Sequence, residues 1–104
     1  MILHADEIPS RQTRPGVTGK EPALGSKVNF SEWRFAKDIE VLPHTHDSET
    51  YGYVVSGKVL VRLDGKEEHI LTKGDLFFLA PQTEHYLKML EDTVIVYASS
   101  PEGT

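Results

Sequence analysis

The chain has no cysteine in its 104 residues. That excludes disulfides, thiolate metal sites and cysteine nucleophiles, so any metal must be held by nitrogen and oxygen ligands. Cationic residues are in the minority. Eleven Lys and Arg against sixteen Asp and Glu leave a net charge of −5, which argues against nucleic acid as a main partner. No apolar run approaches the ~18 residues of a membrane span. The opening stretch "MILHADEIPS" has no cationic segment followed by an apolar core, so it does not read as a signal peptide, and the expected compartment is the cytoplasm. Also missing is any 3.6-residue apolar period of helix length.

What the sequence does contain is short alternation. "FSEWRFA" places Trp33 and Phe35 on one face, and "VLVRL" places Val59, Val61 and Leu63 opposite Leu60 and Arg62. "DLFFLA" is the most apolar stretch, and "EHYLKML" sets His85, Leu87 and Met89 against Tyr86, Lys88 and Leu90. Turn signals fall at Ser56-Gly57, Asp64-Gly65, Lys73-Gly74 and Glu91-Asp92. Asp64-Gly65 is the two-residue hairpin type. About seven or eight short strands at this spacing predict an all-β sandwich or barrel in one domain. Residues 28–100 form the expected barrel. Residues 1–27 form an N-terminal arm or edge strand, packed on the barrel or on a partner subunit. Within that arm, residues 10–27 are rich in Gly, Pro and small polar residues and carry Arg11, Arg14, Lys20 and Lys27. They read either as a surface loop or as a cationic flap over an anionic ligand.

The histidines carry the chemistry. His44 and His46 are one residue apart, and on an extended strand residues i and i+2 share a side, so both imidazoles can meet one ion. His85 follows a glycine turn, an apolar strand and a proline-containing loop, and in a rolled sheet it can return against the His44–His46 strand. His4 and His69 read as incidental. Three imidazoles suit one divalent Zn, Fe, Ni, Mn or Cu ion and leave coordination positions open.

These residues resemble the two motifs of the cupins, G-x5-H-x-H-x(3,4)-E-x6-G and G-x5-P-x-G-x2-H-x3-N. The resemblance covers roughly Trp33 to Ser99. His44, His46 and Gly57 match the first motif, with Asp38 in the place of its first glycine. Gly74 and His85 match the second, with Ala80 in the proline position, Pro81 one residue late, Thr83 standing for the second glycine and Met89 for the asparagine. The glutamate position of the first motif falls on Thr50, and Glu49 lies one residue early. A regular strand therefore puts Thr50 inward and Glu49 outward, and only a bulge near Asp47-Ser48 reverses them.

The resemblance implies an RmlC-like jelly-roll barrel, or double-stranded β-helix, with the metal inside one end. It implies a homodimer, since pairing covers exposed sheet edges and a limited core. Tyr51, Tyr53 and Tyr86, with Phe77, are the candidate aromatic walls of a substrate pocket. The chain is also similar to small cupins that process unsaturated uronates from pectin and alginate, in "RPGV" (Arg14 to Val17) and in Ser100-Pro101. It departs from them at Thr50, where a glutamine ligand is usual, and at Tyr97, where an acidic residue is expected. Three functions follow as expectations. The first is a metal-dependent enzyme on a small organic or sugar-derived acid, so that the partner is a small anionic ligand. The second is a three-histidine Fe(II) dioxygenase. The third is a non-enzymatic binding module. A barrel that has lost its metal along with its glutamate is the competing reading.

Overall fold

The computed structural model describes residues 1–101. It holds ten strands: β1 (Arg11–Arg14), β2 (Val17–Lys20), β3 (Asn29–Phe35), β4 (Glu40–His44), β5 (Thr50–Ser56), β6 (Lys58–Leu63), β7 (Glu67–Thr72), β8 (Leu76–Leu79), β9 (His85–Met89) and β10 (Thr93–Ser99). One 3-10 turn, Ala5–Glu7, precedes them. The strands form a six-stranded sheet in the order β1-β2-β3-β10-β5-β8 and a four-stranded sheet in the order β4-β9-β6-β7, with every pairing antiparallel. This is the expected all-β jelly roll. Among the described residues no helix is long and apolar enough to cross a membrane.

Alternation puts one side of each sheet into the shared core. Val54, Val59, Val61, Leu79, Leu87, Met89 and Ile95 are buried there, contributed by strands of both sheets. Gly52 permits the packing between β5 and β8, because a Cβ at that position would overlap the Phe77 ring. The Asp64-Gly65 turn joins β6 to β7 with both φ angles positive, at 52° and 68°, as a type I′ hairpin requires. Gly57 and Gly74 do something else: each carries the chain from one sheet to the other, between β5 and β6 and between β7 and β8. At Gly57 φ is 94° and a side chain would strike the Asp92 carbonyl oxygen, so only glycine fits this corner.

The segment read as a surface loop or flap contains a hairpin. Strands β1 and β2 flank the turn Pro15-Gly16, and β2 extends the larger sheet by pairing with β3. The boundary placed at residue 27 falls in the connection between β2 and β3.

Candidate metal centre

Strand β4 ends on His44, with His46 two residues beyond it, and it sets His44 through an irregularity. Val41 pairs with Leu87 and His44 pairs with His85, so three steps along β4 match two along β9. The extra residue is a bulge at Leu42-Pro43, a position where a missing proline N–H costs the ladder nothing. Without the bulge, His44 would sit on the opposite face from Val41. With it, Val41, His44 and His46 all line the same cavity. The turn before β4 is held by Asp38 at φ 73°, the left-handed geometry expected of the residue that replaces the motif glycine.

His85 opens β9 on the same inward face as Leu87 and Met89. Its imidazole lies 4.2 Å from that of His44 and 4.9 Å from that of His46, centroid to centroid. Ring nitrogens of the three histidines all lie within 4.8 Å of one another. Two of the tautomers are fixed. His44 Nδ1 donates to the Leu42 carbonyl at 2.9 Å, and His85 Nδ1 donates to the Thr83 carbonyl at 3.0 Å. A carbonyl only accepts, so each Nδ1 carries the proton and each Nε2 presents a lone pair, as a metal ligand must. His46 Nδ1 lies 3.2 Å from Ser48 Oγ. Desolvation by burial holds the His85 pKa below its usual 6.5, and the charges of His44 and His46 push the same way, against the opposing Thr83 carbonyl. The imidazole that a metal would need to be neutral is therefore held neutral. The donor set, its tautomers and its closeness all fit one divalent ion.

The cavity around these rings has a volume of about 460 Å³. Its apolar wall includes Val17, Phe35, Val41, Leu79 and Leu87, and its polar wall includes Ser31, Ser48, Thr50, Tyr97 and Ser99. Among the described residues Arg14 is the one Lys, Arg, Asp or Glu that lines the cavity, so no described carboxylate lines it. The Arg14 guanidinium donates to the Glu40 backbone carbonyl, which anchors the β1–β2 turn beside the β4 strand. Burial raises the Tyr97 phenol pKa well above its ordinary 10.

Thr50 is 6% exposed and lines the cavity, whereas Glu49 is exposed and lies outside it. Strand β5 is regular here, pairing Thr50 with Leu79 and Tyr51 with Phe78. The same alternation corrects the aromatic-wall expectation. Tyr51 and Tyr53 are 52% and 46% exposed on the outer face of β5. Tyr86 points outward from β9, beneath the Arg62 guanidinium and bonded to the Glu40 carboxylate. Phe77 is core, packed over Gly52. Each of the three tyrosines is one residue out of phase with an inward neighbour, so none of them reaches the cavity. His69 is exposed and bonded to Glu67, and His4 is exposed beside the 3-10 turn.

The sequence reading missed Gln82. The left-handed residue of the loop before β9 is Gln82, with φ 65°, and not Thr83. Its N–H donates to the His46 carbonyl at 2.9 Å, and its side-chain amide donates to Asp47. Gln82 thus ties the loop that precedes His85 to the segment that carries His46. Counting three residues back from His85, as the motif prescribes, would have found it.

A cavity with three convergent imidazoles, set inside one end of a two-sheet jelly roll, is a candidate site for one metal ion. The chain belongs to the cupin family: the cupin domain profile matches residues 31–99. Among solved structures it is similar to KdgF from a Halomonas species. That match has 29% identity over 97% of this chain and 94% of that one, with a TM-score of 0.89. It is also similar to an RmlC-like cupin from Shewanella frigidimarina, at 23% identity over 95% and 88% of the two chains, with a TM-score of 0.88. Salicylate 1,2-dioxygenase from Pseudoaminobacter salicylatoxidans shares the fold at 19% identity, over 86% of this chain and 26% of that one, with a TM-score of 0.77. A comparison with curated protein sequences finds no match.

Proposed function

We propose that this cupin is a metal-dependent enzyme acting on a small organic or sugar-derived acid. The observation that carries the proposal is the charge of the cavity. In a chain of net charge −5, the described residues lining the space beside the three histidines include one arginine and no carboxylate. An anion meets attraction there and no repulsion. The resemblance to small cupins that process unsaturated uronates, in Arg14 to Val17 and Ser100-Pro101, supports a sugar-derived acid as the ligand class.

His44, His46 and His85 would hold the ion, which when bound supplies Lewis-acid polarisation of a substrate oxygen. The other residues bind and orient. Arg14, fixed by the Glu40 carbonyl, offers its guanidinium to the carboxylate. The hydroxyls of Thr50 and Ser99, which stand opposite each other in the β5–β10 ladder, offer hydrogen bonds to ligand oxygens. Val17, Phe35, Leu79 and Leu87 exclude water from the far wall. Calorimetry of the Zn(II)-loaded protein tests this: galacturonate is expected to bind and galactose to bind far more weakly. Equal binding of the two would remove the anion reading.

A second reading is the three-histidine Fe(II) dioxygenase. It is favoured by one observation, the threonine rather than a carboxylate beside the histidines. Oxygen uptake by the Fe(II)-loaded protein with thiols or diketones would move the assignment to that class.

The assembly we propose is a homodimer. Tyr51, Tyr53, Val55, Leu76 and Phe78 all lie exposed on the outer face of β5 and β8, and β8 is a free sheet edge. An apolar patch of this kind, repeated on a second copy, is self-complementary under two-fold symmetry. Light scattering at tens of micromolar is expected to give twice the chain mass, and a monomeric mass would exclude the dimer.

A further inference from the structure

Tyr97 is a polar group without a task in the fold. It lies on β10, in register with Ser31 of β3 on one side and Gly52 of β5 on the other, and it faces the histidine cavity. Its ring packs edge-on against Phe77, with centroids 6.1 Å apart and planes at 77°. Phe77 itself is pinned over the bare backbone of Gly52, so the position of the tyrosine ring is set by core packing. Among the described residues no protein group hydrogen-bonds the Tyr97 hydroxyl, while no fully buried side-chain nitrogen or oxygen is left unpartnered. The hydroxyl is therefore reached from the cavity, and its partner must come from the cavity's contents.

We propose that the Tyr97 hydroxyl is a specificity-determining donor, which gives its hydrogen bond to an oxygen of the acid bound beside the three histidines. The proposal rests on the acid-ligand reading above and assigns the group that recognises the ligand across the cavity from the imidazoles. The chemistry is that of a neutral donor. A phenol donates to a hydroxyl, carbonyl or carboxylate oxygen without adding negative charge. Among the described residues the cavity wall holds no carboxylate to take the phenol proton, so the phenol positions and selects. Its placement on a strand packed by Phe77 makes the donor rigid, so the bond forms without ordering a flexible side chain.

The test compares wild type and Tyr97→Phe, each loaded with Zn(II), by calorimetric titration with galacturonate and with galactose. Tyr97→Phe is expected to weaken galacturonate binding about tenfold, the worth of one hydrogen bond to a charged acceptor. Zn(II) affinity should stay the same in Tyr97→Phe, and the melting temperature should change little, which separates loss of a ligand contact from loss of the fold or of the metal. Two outcomes keep the readings apart. If galacturonate alone binds wild type and Tyr97→Phe binds it equally well, the donor assignment falls while the acid reading stands. If both sugars bind wild type alike and Tyr97→Phe weakens both, the acid reading falls while the donor assignment stands. Binding of neither sugar overturns both.

Discussion

His85 and Met89 stand on one strand and on one face, four residues apart, and they face two different worlds. Around Met89 the barrel is closed. Val54, Val59 and Ile95 are, like Met89 itself, fully buried. Around His85 the barrel is open. Strand β4 bulges, the loop before β9 passes through a left-handed Gln82, and the wall carries hydroxyls, imidazoles and a guanidinium. The comparison shows how a small barrel separates two demands. One end supplies the buried apolar surface that holds the sheets together. The other is left hollow, because the first end already holds it in place.

If that separation is real, substitutions at the two ends should have opposite signatures. The largest effect is expected at the closed end. Met89→Ala removes a fully buried side chain from a tightly packed core, and should lower the free energy of unfolding by about 3 kcal/mol. Urea denaturation measures this, and Zn(II) affinity of the folded variant should be within a small factor of wild type. A comparable loss of metal affinity would mean that the two ends are coupled through β9.

The next effect belongs to the open end. His85→Ala should reduce Zn(II) affinity by at least about 100-fold, since the change removes a direct ligand where even supporting partners are worth ~10–100-fold. Stability of the metal-free protein should fall less than in Met89→Ala, because the imidazole borders a cavity and is not packed on all sides. Competition titration against a chromophoric chelator reads the affinity. Retention of the ion would remove His85 from the ligand set.

The closed end was almost fully legible in the sequence, and the open end only in part. Alternation in "VLVRL" and "EHYLKML" placed Val59, Val61, Leu87 and Met89 inward, because period two is a local property of a strand and needs no knowledge of its neighbours. The His44–His46 pair was legible for the same reason. What alternation does not encode is phase relative to the core. Tyr51, Tyr53 and Tyr86 are aromatic and near the histidines in sequence, yet each is one residue from an inward position. The bulge at Leu42-Pro43 is likewise a property of two strands at once. The place of Arg14 in the cavity depends on a β1–β2 turn anchored across the barrel to Glu40, a contact 26 residues away in sequence. Such long-range placements leave no local pattern to read.

A smaller effect sharpens the picture of the open end. Thr50→Glu would put a carboxylate at a wall position that now carries a neutral hydroxyl, with a cavity of about 460 Å³ to receive it. The expected result is Zn(II) binding tightened about tenfold, since an opposite charge close to the ion adds an electrostatic contribution. Galacturonate binding should weaken at the same time, as the cavity loses its purely cationic lining. Isothermal titration of metal and ligand in the same variant measures both. Tighter binding of both species would show that the anion does not share the ion's side of the cavity.

The smallest effect is expected one residue away, at Glu49. Its carboxylate is closer in sequence to His46 than Thr50 is, so chain proximity alone would favour it as a ligand. The backbone excludes it. The Glu49 N–H donates to Ser100 Oγ and the Ser100 N–H donates to the Glu49 carbonyl, both at 3.0 Å, which clamps this residue to the segment following β10. From there a regular β5 carries Thr50 inward and leaves Glu49 in solvent. A one-residue step on a strand reverses the side chain completely, so proximity in sequence counts for nothing. Glu49→Gln should therefore change Zn(II) affinity by less than about twofold, the scale of a screened surface charge. His69→Ala, on the outer face of β7, should be equally silent. A tenfold loss in Glu49→Gln, with no gain in Thr50→Glu, would mean that the chain bulges at Asp47-Ser48 when metal binds and that Glu49 turns in as the fourth ligand.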